Sequence, residues 1–272
     1  MRPGPLWKKK DKHCDPNKRE DRSCGSWWDH VLIDPESKLI VSLIVGRRTS
    51  ATLQALFQDF YERTDGYLPD LIVTDEYAAY FTVIVATYGV AKEELELTEA
   101  EQEAYGWAEM PPVYVPEEIN YATVHKERVQ GRVVRVEPRV VLGTAKQIQA
   151  VLDAGDTAAT INVSYVERYH GTQRHFNARK KRKAYTFSKD LVFHVAVTWL
   201  VVTAYNWCWK PRTLRVQTEV DPPRYEYRTP AQVAGLAAAP WDLRDVLAYP
   251  IYQDPPKKRK RRRRKAKRSE GG

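Results

Sequence analysis

Apolar residues along the chain are spaced in two different periods, and the changes of period mark its elements. Trp27 to Ile33 and Lys38 to Val45 are rich in aromatic and β-branched residues, and DPES at 34–37 between them is turn chemistry, so the stretch predicts an antiparallel hairpin. ATLQALFQDFYER at 51–63 carries apolar residues at helical spacing and stops before TDGYLPD. LIVT at 71–74 is a short continuous apolar run, the pattern of a strand buried on both faces, and Asp75 ends it. EYAAYFTVIVATYG then predicts a second helix. Strand, strand, helix, strand, helix in this order describes a mixed α/β sheet.

The pattern changes between about Lys92 and Ala159. EELELTEAEQEAYGW is acidic, PPVYVPEE is proline-rich, and YATVHKERVQGRVVRVEPRVVLG alternates like a hairpin with its turn near Gln130–Gly131. The stretch is expected to be an insertion on the sheet or a small subdomain, followed by a short helix at 144–155 that Gly155 stops. LVFHVAVTWLVVTAYNWCW at 191–209 approaches membrane-spanning length, but it carries His194, Thr198, Thr203 and Asn206, so a buried helix of a soluble protein is expected. The resulting division is a remnant strand and polar loop at 1–26, a first sheet segment at 27–91, the insertion at 92–159, helices at 160–250 and a tail at 251–272.

Residues 163–183, VSYVERYHGTQRHFNARKKRK, hold one acid, Glu167, ahead of seven Lys or Arg. On a helix Glu167, His170, Gly171 and Arg174 share a face, and Val163, Val166, Tyr169 and Phe176 form an apolar stripe beside it. Arg168, His175, Arg179 and Arg182 form a third stripe facing outward. The segment by itself fits a solvated amphipathic helix and a nucleic-acid surface equally.

Charge alters this picture through its distribution. The chain has 272 residues, enough for a full core, and a formal charge of +9. From Lys257 onward there are 11 Lys or Arg and one Glu, whereas the first 256 residues carry 33 basic and 34 acidic side chains. All the excess positive charge therefore sits in PPKKRKRRRRKAKRSEGG, whose composition predicts a disordered tail and a salt-sensitive, sequence-blind anchor for polyanions. Its density of Lys and Arg also matches a nuclear-import signal. Cys14, Cys24 and Cys208 are too few and too irregularly spaced for a zinc site or a disulfide framework, so a reducing compartment is expected. No secretory signal pattern opens the chain. The expected location is cytoplasm or nucleoid in a prokaryotic host and the nucleus in a eukaryotic one, with no membrane association.

WWDHVLIDPESKLIVSLIVGRR at 27–48, LIVTDEYAAY at 71–80 and INVSYVERYHGTQRHFNARKKRK at 161–183 resemble, in order and spacing, insertion-sequence transposases of the DDE superfamily. YTFSKD at 185–190, YNWCWKPRTLR at 205–215 and TPAQVAGL at 229–236 continue the resemblance over most of residues 7–250. It implies an RNase H-like fold, a mixed sheet flanked by helices, with carboxylates that hold Mg2+ (or Mn2+). Asp75 at a strand end and Glu167 at a helix start are the catalytic and metal-binding residues it implies. Arg168, Arg174, Arg179, Lys180, Lys181, Arg182 and Lys183 would meet DNA phosphates, and His170 would orient Glu167 or touch DNA. Two divalent ions about 4 Å apart stabilise the attacking and leaving oxygens of an in-line phosphoryl displacement, and magnesium favours oxygen ligands. The same acids also suit plainer roles, a helix N-cap for Asp75 and an ion pair for Glu167.

The resemblance also has a gap. The family's first catalytic Asp stands two or three residues before a Trp that corresponds to Trp7, where this chain has Pro5 and Gly4 in MRPGPLW. Asp29, within a strand, and Asp34, in a turn, are poor substitutes. The expected function is a transposase catalytic domain for metal-dependent DNA hydrolysis and strand transfer, impaired by the missing acid, with paired element ends favouring a homo-oligomer. The alternative is a non-catalytic nucleic-acid-binding protein derived from a transposase.

Overall fold

A computed structural model describes residues 6–7, 13–15, 17–18, 24–95, 112–155, 160–181, 188, 190–220, 222 and 224–249. Among these residues the fold is mixed α/β, with seven α-helices and eleven strands, several of only two or three residues. The basic tail, Arg182 and Lys183 lie outside the described residues.

Short strands β1 (Leu6–Trp7) and β2 (Gly25–Ser26) pair antiparallel, Leu6 opposite Ser26. The expected hairpin is β3 (Trp28–Ile33) with β4 (Ile40–Gly46), in a register running from Trp28 opposite Gly46 to Ile33 opposite Ile40. Asp34 builds its turn: the carboxylate accepts from Ser37 N at 2.9 Å, and Lys38 N donates to Asp34 O at 2.9 Å. Lys38 adopts a left-handed φ of 63° there. Helix α1 (Ser50–Arg63) follows, its first turn capped by Thr49, and packs on β4.

Strand β5 (Ile72–Asp75) leads into α2 (Ala79–Tyr88), which returns the chain past the short pair β6 (Val90–Ala91) and β7 (Val113–Tyr114) to β8 (Tyr121–Val129). A parallel neighbour needs such a crossover, and β8 lies parallel to β5 with Ile72 opposite Tyr121 and Asp75 opposite Val124. Strand β9 (Arg132–Leu142) completes this sheet antiparallel to β8. Gln130 and Gly131, at φ 48° and 80°, make the tight turn that their sequence predicts. The stretch expected to be an insertion thus supplies two of the three strands of the sheet that carries Asp75. Leu53, Leu56 and Phe57 of α1, Tyr80, Val83 and Ile84 of α2, and Ile72 and Tyr121 form one core, with Leu32 and Ile44 of the hairpin against it.

Three helices close the other side: α3 (Ala145–Ala154), started by a Thr144–Gln147 capping box, α4 (Ser164–Phe176) and α5 (Leu191–Trp207). Tyr169, Val202 and Tyr205 from α4 and α5 meet Val31, Ile40 and Leu43 in a second core. The short helices α6 (Pro230–Val233) and α7 (Leu243–Ala248) pack on α5.

Helix α5 corrects the expectation of a buried apolar helix. The segment Leu191–Leu214 is long and apolar enough to cross a membrane by composition, yet only 28% of its apolar window is buried. Its buried positions include the polar His194, Thr198 and Asn206, while Val192, Phe193 and Leu200 are exposed. The polar residues turn inward because bonding partners lie there. The Asn206 amide oxygen accepts from Ile40 N at 3.0 Å, and its nitrogen donates to Ile40 O at 2.9 Å. This clamp holds the start of β4 to the helix. Asn206→Ala leaves two buried backbone groups without partners, each costing about 1–3 kcal/mol. A urea midpoint shift equivalent to a loss of about 2–4 kcal/mol is expected, and an unchanged midpoint would show that the clamp contributes nothing.

Candidate functional site

Asp75 is the last residue of β5, and its neighbours fix where that strand ends. The Thr74 hydroxyl shares a 2.8 Å hydrogen bond with the Tyr121 hydroxyl and donates to Asp75 O at 2.7 Å. Helix α2 begins after Ala78 with no side-chain cap, so Asp75 is not its N-cap. The carboxylate accepts from Tyr77 N at 3.4 Å instead. Burial pushes the Tyr80 and Tyr121 phenols upward in pKa, and the Asp75 charge adds to both. Its neighbour Glu76 is occupied otherwise, by Arg139 at 2.8 Å and by His125.

Glu167 lies in the first turn of α4, where the helix dipole favours a negative charge. Its side chain is 62% exposed and forms an ion pair with Lys126 of β8. Lys126 stands two residues beyond Val124, the register partner of Asp75, so α4 approaches the same end of the sheet at which β5 stops. Asp75 and Glu167 line one cavity of about 860 Å³, together with His170, Val166 and residues of α3.

The walls of this cavity show why it exists. Successive strand residues point to opposite faces, yet Val31, Leu32 and Ile33 of β3 all line it, as do Ile72 to Asp75 of β5. A space touched by every consecutive residue is touched by the strand edges. Strand β3 pairs only with β4, and β5 only with β8, so each has an edge without a ladder partner among the described residues. The cavity lies between these two edges.

Beside it lies a buried charge network. Lys180, in a single 3-10 turn after α4, donates to Asp29 Oδ2 of β3 at 2.7 Å, with side-chain exposures of 3% and 10%. The Gln173 amide, oriented so that its nitrogen donates to Asp29 Oδ2 and its oxygen accepts from Lys180 Nζ, adds two bonds of 3.0 Å. His194 Nε2 is 3.8 Å from Asp29 Oδ1, and its Nδ1 is 3.0 Å from the Ser188 hydroxyl. Burial raises the Asp29 pKa, but the Lys180 charge and the bonds from His194 and Lys180 outweigh it and hold the carboxyl far below its usual range. The order Ser188, His194, Asp29 mimics a hydrolase relay, but none of the three lines the cavity, Ser188 and His194 are buried, and the Asp29 side chain is only 10% exposed.

The expected phosphate contacts divide accordingly. Arg168, Arg174, Arg179 and Lys181 are exposed. Lys180 is a correction: Asp29 draws it inward, away from any phosphate. His170, expected on the Glu167 face, does line the cavity, but burial lowers its pKa to about 4 and its Nε2 has no hydrogen-bond partner, so the ring is neutral at pH 7. Burial likewise lowers the pKa of His30.

The donor set does not complete a metal centre. Among the described residues no three His, Cys, Asp or Glu are grouped to hold an ion. Asp29 is committed to Lys180, and Asp34 to its turn. Asp34 lines the same cavity but lies just past the far end of β3, about 20 Å by strand rise from Trp28, which Arg48 links to Tyr77 beside Asp75. No catalytic step through a metal is assigned to these residues. Lys126, Asp29 and Gln173 were not singled out as partners in the sequence; alternation in a strand and a single Gln on a helix carry no such signal.

No protein-family model matches the chain, and neither a curated protein nor a solved structure matches it. The functional reading therefore rests on residues and geometry.

Two measurements check this site. Lys180→Met strands a carboxylate in the interior and is expected to cost about 3–5 kcal/mol, with Asp29→Asn in the same chain restoring part of it. Equal stability of the single and double variants would refute the pairing. His170 titrates lower in the folded chain than in the unfolded one. Stability should therefore fall as pH drops from 6.5 to about 4, where the unfolded state gains a proton that the folded state refuses. His170→Gln should flatten that part of a urea-midpoint profile.

Proposed function

We propose that the chain is an RNase H-like domain of the DDE transposase type that binds DNA, with its ancestral metal-dependent phosphoryl-transfer chemistry weak or lost. The observation that carries this reading is the position of Asp75 and Glu167. They come from the end of a buried strand and the start of a distant helix, yet both line one long cavity, and Glu167 pairs with Lys126, two residues beyond the register partner of Asp75. The exposed Arg168, Arg174, Arg179 and Lys181 on and just past the Glu167 helix fit a phosphate backbone. The gap between the two sheets supports it as well. The resembled fold has its first strand, with its first acid, in the middle of the sheet, and here the edges of β3 and β5 face a shared cavity.

Asp75 and Glu167 would be the Mg2+ (or Mn2+) ligands of such a site, which needs a third carboxylate to bind two ions carrying about +4 of charge. The Lys126–Glu167 pair favours the second reading, a non-catalytic DNA-binding protein, since an ammonium occupies one of the two acids.

DNA binding without Mg2+- or Mn2+-dependent cleavage is expected of the chain as it stands. A strand-forming segment ahead of Leu6 with Asp at position 4 or 5 should raise the thermal midpoint and introduce cleavage that Asp75→Asn and Glu167→Gln remove. Cleavage by the unaltered chain that those substitutions abolish would show that another carboxylate completes the site. Absence of DNA binding would sink both readings. Removing residues 257–272 should weaken DNA binding with little sequence preference and flatten its salt dependence, because counterion release scales with the phosphates neutralised.

A further inference from the structure

The cavity lining is acidic, with Asp34, Glu36, Asp70, Asp75, Glu76 and Glu167 against Arg48, Lys126 and Arg128, and Lys126 is already paired with Glu167. Arg48 is different. It follows β4, is exposed, and lines the cavity together with Asp75, Glu76 and Tyr77. Its guanidinium lies 4.4 Å from the ring centroid of Tyr77 and 5.4 Å from that of Trp28. The Tyr77 hydroxyl donates to Arg48 O at 3.2 Å, and Tyr77 N donates to Asp75 Oδ1 at 3.4 Å. Tyr77 thus ties Arg48 to the end of β5 from both sides. Among the described residues no carboxylate pairs with Arg48 and no acceptor takes a bond from its guanidinium.

Arg47 provides the contrast. It too lies over a ring, Trp27, but its guanidinium is spent on the carbonyls of Ser26 and Cys24. Aromatic faces hold a guanidinium without using its N–H groups, which point outward in the plane of the fork. Arg48 is therefore a positioned cation with its donors unspent, beside the acid that the proposed function assigns to metal. Such a fork matches two oxygens of one phosphate.

We propose that Arg48, held by Trp28 and Tyr77, is a phosphodiester-binding residue at the mouth of the cavity, which positions a DNA backbone phosphate beside Asp75. The inference rests on the reading of the chain as a DNA binder, and it deepens that reading. Arg128 of β8 is the internal comparison: it is exposed and also lines the cavity, but no ring among the described residues holds it.

The test is the affinity of the full chain for a fluorescein-labelled 20-nucleotide single strand and for its duplex, between 50 and 200 mM salt. Arg48→Ala should weaken binding about tenfold, as loss of a charge-assisted pair does, and lower the salt slope by about one. Arg48→Lys should keep the slope but lose affinity a few-fold, since it retains charge without the fork. Arg128→Ala should have a smaller effect. Circular-dichroism melts of the variants should overlay with that of the unaltered chain.

Unaltered DNA binding by Arg48→Ala, while the parent chain binds, would overturn the Arg48 assignment and leave the proposed function standing. Equal losses in the Ala and Lys variants with a lowered melt would assign Arg48 a structural role and overturn it too. Should the parent chain fail to bind DNA, the proposed function falls, and inorganic pyrophosphate decides for Arg48. Quenching of tryptophan fluorescence in the parent but not in Arg48→Ala would uphold the anion site, and no quenching in either would overturn it.

Discussion

Lys180 and Asp29 meet at 2.7 Å inside the protein, one from the turn that follows α4 and the other from the second residue of β3. The position of the whole Glu167 helix depends on that contact. Removing two ions from water costs several kcal/mol each, and their attraction recovers this only when the remaining donors and acceptors are also bonded. Gln173 supplies two such bonds, and His194 Nε2 lies 3.8 Å from the other carboxylate oxygen. A buried pair of this kind adds little net stability but tolerates only one arrangement, because any shift of α4 along β3 strands both charges.

The rest of the helix follows from its period. With Gln173 and Tyr169 facing β3, the residue three earlier, Val166, packs at the rim of the same core. Glu167 and His170 are then rotated toward the cavity, and Arg168, Arg174 and Arg179 toward solvent. One helix thereby separates three chemistries by angle: burial, site and surface. Helix α5 stabilises the partner strand by similar means, since Asn206 replaces a missing ladder neighbour at Ile40 and His194 reaches the Asp29 network. Its polar residues are inside because that is where the unsatisfied backbone and charge are.

These two helices also mark how far the sequence could be read. Elements governed by local rules were legible: the β3–β4 hairpin from DPES, the Gln130–Gly131 turn, β5 with its terminal Asp75, and the helices after Thr49 and Thr144. Asp75 and Glu167 were paired only by the resemblance, since the residues alone suit an N-cap and an ion pair equally well, and both line the cavity. The fate of Lys180 was not, since its neighbours Arg179 and Lys181 have the same charge and only the depth of Asp29 distinguishes it. The inverted polarity of α5 was hidden for the same reason. Composition shows that a helix is apolar, but not which of its residues will find a hydrogen-bond partner inside. Nor does alternation in YATVHKERV reveal that this strand lies parallel to β5, because parallel pairing is decided by the crossover that carries the chain back.

The gap between the two sheets connects these observations to chemistry. Among the described residues no ladder joins β3 and β5, and side chains bridge the two sheets: the α1–α2 core on one face, and the Lys126–Glu167 pair between β8 and α4. Glu167 then depends on β3 through its helix, while Asp75 belongs to β5, so the two acids are carried by different sheets. Their separation is set by packing across the cavity and not by a shared hydrogen-bond ladder. Phosphoryl transfer with bound metals demands ligand placement within about 0.5 Å, a precision that a continuous sheet provides and a side-chain interface provides less well. Phosphate binding by arginines has no such demand, since a guanidinium on a long stem adjusts to its partner. In the proposed reading, two sheets joined in this way suit holding DNA better than cutting it.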